Sequence, residues 1–147
     1  SHVSAPGSVT LEEYAGLYSY STIHHLISCI SSTRREDATL GECMRALFPP
    51  GSMTGAPKVA AMNWCATQER VERGVYSGAL GWLGAGNTWD LSVVIRTLIT
   101  RQKQFEFQAG GGIVADSKPE AELEEMFTKT RGITGALGID ETLLKSI

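Results

Sequence analysis

Three consecutive glycines, Gly110, Gly111 and Gly112, stand a short step ahead of a segment carrying Glu122, Glu125 and Lys129. Backbone amides that a ligand can approach closely therefore lie in sequence beside two carboxylates and an ammonium. Consecutive glycine N–H groups form an anion-binding concavity, and carboxylates at i and i+3 of a helix are near enough to share a cation. The combination suits a small anionic substrate held together with a divalent cation. Two carboxylates are too few for a tight Mg²⁺ site, which needs near-octahedral oxygen ligation and borrows ligands from water and substrate. The segment supplies half of such a site at most. Each feature also has a plainer reading: a bulge or sharp turn at the glycines, and an exposed Glu125–Lys129 ion pair worth roughly a few tenths of a kcal/mol.

A second unusual loop, GSMTGAPK, occupies residues 51–58. It is not a phosphate-binding loop, because GxxxxGK[ST] is absent and Pro57 removes an amide donor just before Lys58. Nor does GWLGAGN carry the spacing and βαβ setting of a dinucleotide fingerprint. Ser52 and Thr54 place hydroxyls near a helix start, either as caps or as substrate contacts. Arg96 lies within the apolar run DLSVVIRTLIT. A guanidinium in such a strand needs a partner, either a ligand carboxylate gripped by its fork or an internal bridge to Asp90 or a glutamate. His25, beside His24 and apolar residues, reads as a satisfied core histidine or a proton carrier, and Tyr76 as core or rim packing.

Periodicity predicts the elements that must hold these groups. Residues 22–32 alternate, with Ile23, His25, Ile27 and Cys29 on one face and Leu26, Ser28 and Ile30 on the other, a strand pattern. A helix is predicted over 37–48, closed by Pro49 and Pro50, and another over 56–68 with Pro57 at its first position. Three β-rich runs follow at 76–83, 89–100 and 105–109, and connections this short require antiparallel neighbours. Ser117 is predicted to cap a last helix, with Pro119 and Glu120 in its first turn. On that helix Leu123, Met126, Phe127, Thr130, Ile133 and Leu137 form one apolar stripe. Glu122, Glu125 and Lys129 run along its flank, and Glu124, Thr128 and Arg131 lie on the solvated side. The expected class is α+β, an antiparallel β-meander packed with helices.

At 147 residues the chain fits one domain, expected to occupy residues 14–147 behind a flexible lead-in over 1–13. Its hydrophobic share of 42% and charged share of 20% are ordinary globular values. A net charge of -3 without any Lys/Arg block gives no footprint for nucleic acid. No apolar run approaches the roughly 18 residues of a membrane span. Cys29, Cys43 and Cys65 lack CxxC spacing and read as reduced, buried thiols of a cytoplasmic protein.

Taken in order and spacing, HLIS, GSMTGAPKVAAM, RGVYSGALGW, DLSVVIRT and AGGGIVADSKPEAELEEMFTKTR resemble the chorismate-utilising enzymes. Within that family FPPGSMTGAPK and YSGALGW look most like the aminodeoxychorismate synthases. The resemblance implies the C-terminal portion of the chorismate-binding (anthranilate synthase component I-like) fold, and amination of chorismate to 4-amino-4-deoxychorismate on the route to para-aminobenzoate and folate. The alternatives are the anthranilate reaction of tryptophan biosynthesis, or a non-catalytic assembly module that keeps the fold. The implied roles are specific. Arg96 and Lys129 bind substrate carboxylates, the amides at Gly110, Gly111 and Gly112 cradle one of them, and Ser52 and Tyr76 line the pocket. Glu122 and Glu125 ligate Mg²⁺, and His25 assists proton handling at the ring. A glutamine amidotransferase subunit or domain supplies ammonia. The family domain is longer. The resemblance places a second glutamate pair, and a PIxGT segment whose variable residue is a nucleophilic lysine, in an N-terminal part not found here, so the chain is expected to be inactive alone.

Overall fold

The computed structural model describes residues 2–20 and 23–140, and these fall into two units, Ser1–Phe48 and Pro49–Ile147.

In the first unit strand β1 (Thr10–Ser19) pairs antiparallel with β2 (His24–Ser31), Thr10 opposite Ser31 and Ser19 opposite His24. The predicted strand at 22–32 is therefore present over His24–Ser31, and Thr22 lies outside the described residues. Its alternation holds at the centre, where His25 and Ile27 are half-buried while Leu26 and Ile30 are exposed. Part of the segment expected as a flexible lead-in over residues 1–13 is paired. Ser4 bridges Arg34, the Ala5 amide donates to Thr33 O at 2.8 Å, and residues 10–13 belong to β1. Helix α1 (Leu40–Leu47) starts three residues later than predicted because Thr39 is its N-cap. The Thr39 hydroxyl accepts from the Glu42 amide while the Glu42 carboxylate accepts from Thr39 N at 2.7 Å, a reciprocal capping box. Ala38 and Cys43 are the buried apolar residues here, whereas Cys29 is exposed, against the expectation of a buried thiol.

In the second unit the GSMT segment is a single helical turn, α2 (Gly51–Thr54), rather than an open loop. Helix α3 (Lys58–Gln68) follows, with Pro57 one step outside it at the N-cap rather than at the first helical position. Strands β3 (Ala79–Leu83) and β4 (Trp89–Val93) form one hairpin, and β5 (Ile99–Arg101) and β6 (Gln104–Glu106) another. Gln102 and Lys103 both take positive φ (45 and 73), as a tight two-residue hairpin turn requires. The α+β class with antiparallel neighbours stands, organised among the described residues as three separate two-stranded pairs. The run predicted as one strand over 89–100 is broken after Val93, because Arg96 sits in a bend at φ 49.

Helix α4 (Pro119–Leu137) is the longest element and ends on Gly138, whose left-handed φ of 65 terminates it. Its predicted stripe is inward at Met126, Phe127, Thr130, Ile133 and Leu137, but Leu123 is exposed and Thr134 is buried instead. The Thr134 hydroxyl is satisfied by Thr130 O and Arg131 O at 3.3 Å, so burial leaves no polar orphan. Glu124, Thr128 and Arg131 face solvent as expected.

Candidate active site

The run from β6 into α4 passes through the three glycines in backbone that is neither helix nor strand. None of them takes a positive φ, so turn geometry does not explain why glycine stands there. Close approach explains two of them. A Cβ on Gly110 would stand 3.2 Å from the Tyr76 hydroxyl, and one on Gly111 would stand 3.1 Å from Glu122 Oε2. A Cβ on Gly112 would meet nothing within 4 Å. The glycines thus form a floor against which a phenol and a carboxylate rest directly.

The helix supplies the rest of this face. Glu122 is held from two directions, its amide donating to Lys118 O at 3.0 Å and its Oε1 accepting from the Ser117 hydroxyl at 2.6 Å. Ser117 also accepts from the Val114 amide at 3.0 Å, so it pins the loop to the carboxylate. Its predicted capping role is corrected: Lys118 occupies the N-cap and no side chain caps there. Two turns beyond Glu122, Lys129 pairs with Glu125 at 2.6 Å and donates to Gly110 O at 3.4 Å. The plain ion-pair reading of Glu125 and Lys129 is therefore realised, and the same ammonium also reaches the glycine floor. Beside this face lies a hollow of about 370 Å³ lined by Gly111, Ile113, Ser117, Pro119, Glu122, Leu123 and Met126. Its walls are mainly apolar, with one carboxylate and one hydroxyl to fix orientation, the usual make-up of a small-molecule pocket.

Five of the residues singled out from sequence thus come together: Gly110, Gly111, Glu122, Lys129 and Tyr76, with Glu125 tied in through Lys129. Arg96 stands apart from that group. It is exposed, off the strand, and has no ion pair or hydrogen bond among the described residues, so neither Asp90 nor a glutamate holds it. Exposure removes the need for an internal partner. A bulky residue at positive φ costs of order 1 kcal/mol and persists where the surroundings impose it. Here the imposition comes from Val94, buried and bonded in both directions to the Ser77–Gly78 turn, which leaves the chain to reverse at Arg96. Ser52 is exposed on α2, with no hydrogen bond among the described residues, so it neither caps α3 nor joins a network. His25 belongs to the first unit, half-buried and edge-on to Tyr20 at 6.0 Å.

One residue escaped the sequence reading. Arg73 grips Glu69 with both arms of its fork, at 2.8 and 2.6 Å, and reaches Met53 O at 2.7 Å. The bonds between Glu69 and Arg73 hold the Glu69 carboxyl below its ordinary value and raise the guanidinium in turn. Arg73 opens the RGVYSGALGW motif, but the charges of the run QERVERG read by themselves as an ordinary solvated turn.

For a metal, the described residues contain no group of three His, Cys, Asp or Glu side chains placed to hold one. Glu122 and Glu125 are hard oxygen donors one turn apart, which fits part of a Mg²⁺ shell and no more.

Comparisons with known proteins find relatives over nearly the whole chain. A plant relative, the chloroplastic aminodeoxychorismate synthase of Arabidopsis thaliana, is 43% identical over 92% of this chain, which spans 15% of that protein. Anthranilate synthase component 1 of Pseudomonas putida is 40% identical over 95% of the chain, which spans 28% of it. Among solved structures, anthranilate synthase component I from Streptococcus pneumoniae superposes with a TM-score of 0.83 at 34% identity, covering 90% of this chain and 30% of that one. A 2,3-dihydroxybenzoate-specific isochorismate synthase from Bacillus anthracis does so at 0.80 and 26%, covering 91% and 36%. The chain therefore spans well under half the length of these proteins. Residues 1–135 match the profile of the chorismate binding enzymes, and with relatives this similar across nearly its whole length, the chain belongs to that family.

Proposed function

We propose that this chain carries the C-terminal portion of a chorismate site in an enzyme that aminates its substrate to 4-amino-4-deoxychorismate. The carrying observation is the meeting of Tyr76, Glu122 and Lys129 on one glycine floor. An ammonium and free amides on that floor suit a ring carboxylate, the phenol borders it, and the apolar hollow suits the ring itself. Arg96 adds a second cation for the other carboxylate, and an uncommitted, exposed guanidinium is consistent with waiting for a ligand. Ser52 lines the pocket in this reading, and His25 orients the ring or handles its proton.

Glu122 and Glu125 are the residues that would hold Mg²⁺, with water, substrate and protein groups beyond this chain completing the shell. When bound, the ion supplies Lewis-acid and template chemistry at a substrate oxygen. In the proposed reaction ammonia forms a bond to the ring carbon, the ring hydroxyl departs, and the protons balance as one water released. A glutamine amidotransferase subunit or domain supplies the ammonia. A cytoplasmic setting belongs to the same reading, supported by cysteines that are all free.

A second reading, amination at a different ring carbon to give anthranilate, draws support from the Pseudomonas putida and Streptococcus pneumoniae proteins. Product identity in an assembled enzyme separates the two. For the chain by itself, calorimetric titration with chorismate is expected to show saturable binding strengthened by Mg²⁺. Lys129→Ala should weaken it by about tenfold, as befits loss of a charge-assisted contact, and Glu125→Gln should remove the Mg²⁺ dependence. Incubation with chorismate, Mg²⁺ and ammonia is expected to yield no aminated product. An absence of saturable binding overturns the site, and any turnover overturns its incompleteness.

A further inference from the structure

The side-chain bonds of Arg73 join α2, the end of α3 and the Ser77 turn of the second unit. Its Nε and Nη2 meet both oxygens of Glu69 at the end of α3, and Nη2 also faces Cys65 Sγ at 3.7 Å. Its Nη1 donates to Met53 O in the Ser52 turn at 2.7 Å and to the Ser77 hydroxyl at 3.2 Å. A guanidinium has five N–H donors in a fixed plane, and here each has an acceptor. The same plane lies 5.9 Å from the centroid of the Tyr76 ring. The backbone adds two further ties: Arg73 O accepts from the Tyr76 amide at 2.9 Å and from Gln108 Nε2 at 3.2 Å, the latter on the run into the glycines.

We propose that Arg73 is a positioning residue for substrate binding, locking the Ser52 turn, the Tyr76 ring and the approach to Gly110 into one rigid wall. It acts through Tyr76, whose hydroxyl rests on the floor at Gly110, and it does not itself need to touch substrate. The planar fork is the reason for arginine. Lysine would bring the charge as a point with three donors and could not hold Glu69 in a bidentate grip while reaching Met53 and Ser77. The substrate named here rests on the function proposed above, whereas the locking does not.

The experiment pairs Arg73→Lys and Arg73→Ala with Glu69→Gln in the full chain. The amides of Met53, Thr54 and Gly110 and the ring of Tyr76 are followed by NMR, and chorismate affinity with Mg²⁺ by calorimetry. Arg73→Lys is expected to shift those four signals together while the β3–β4 hairpin amides stay in place. It should also weaken chorismate by about tenfold, the scale of a lost charge-assisted contact. Glu69→Gln, which keeps the arginine, should move the same signals less. Millimolar guanidinium should restore the signals and affinity of Arg73→Ala, and ammonium should not, a distinction that a general loss of stability would not produce. Unmoved Tyr76 and Gly110 signals in Arg73→Lys overturn the proposal whether or not chorismate binds. If the wild-type chain binds no chorismate, the function falls and the NMR comparison still decides the role of Arg73.

Discussion

A methyl group is the smallest probe of the glycine floor, and the three positions answer it differently. At Gly111 an added Cβ would crowd Glu122 Oε2 at 3.1 Å, and at Gly110 the Tyr76 hydroxyl at 3.2 Å. Since neither glycine needs a positive φ, alanine strains no backbone there, and its effect falls on the neighbour, which must retreat by a few tenths of an ångström. Gly111→Ala is therefore expected to weaken Mg²⁺-dependent chorismate binding by about tenfold, the order expected when a binding group is displaced by a fraction of an ångström. Gly110→Ala should act through Tyr76, and Gly112→Ala, which meets open space, should be silent. Calorimetry on the three variants, with thermal melts unchanged, checks the contrast; equal effects at all three would mean the close contacts are irrelevant. This grouping was legible in the sequence because Gly110, Glu122 and Lys129 are near neighbours along the chain, joined by a helix of strong period. Arg73 was not, because its acceptors come from α2, α3 and the Ser77 turn, which only the fold assembles. Arg96 misled for the opposite reason: β-branched residues on both sides concealed a reversal that the paired Val94 imposes.

Among the elements, α1 carries a pH-sensitive support that can be isolated. The Thr39 amide and hydroxyl bind the Glu42 carboxylate and hold its carboxyl below the ordinary value. A group whose folded value is depressed stabilises fully above its unfolded value, ~4.3 for glutamate, and that contribution is lost as pH falls through the folded value. Helicity of the first unit should accordingly be level from neutrality to about pH 5 and decline below. Glu42→Gln keeps an acceptor for the Thr39 amide but cannot titrate, so its acid decline should be shallower, as circular dichroism would record. An identical decline in both proteins would remove Glu42 as the cause. Thr39 and Glu42 also show why α1 was found but started late: the box places the boundary at residue 39, whereas composition alone extended it to Asp37, which instead pairs with Arg35 at 2.9 Å. β1 escaped notice because bulges between Leu11 and Glu13 and between Glu13 and Gly16 break its two-residue alternation. A period-based reading needs an uninterrupted ladder.

On the scale of the whole molecule the balance of core to surface is the unusual quantity. Among the described residues the buried apolar side chains are Ala38, Cys43 and Val94, all small or of medium size. Large ones stand in solvent on both units: Tyr14 and Leu26 on the β1–β2 pair, Val59 and Trp64 on α3, and Leu80 and Trp82 on β3. Composition could not reveal this, because a 42% hydrophobic share says nothing about where those side chains are covered. A two-stranded sheet with a bare apolar face is marginal in water, and contiguous exposed patches promote association. The family relationship gives the pattern a sense, since the chain spans only a small part of the length of proteins that share its fold. The 147-residue chain alone is therefore expected to enhance the emission of an apolar dye and to associate reversibly as its concentration rises. Salt distinguishes the cause: apolar contacts survive or strengthen in sulfate, while charge-driven contacts weaken over the same range. Sedimentation across a concentration series in low and high sulfate makes the measurement. Association that disappears in sulfate would assign it to charge, and a monomer at every concentration with no dye response would show that these faces are covered in solution.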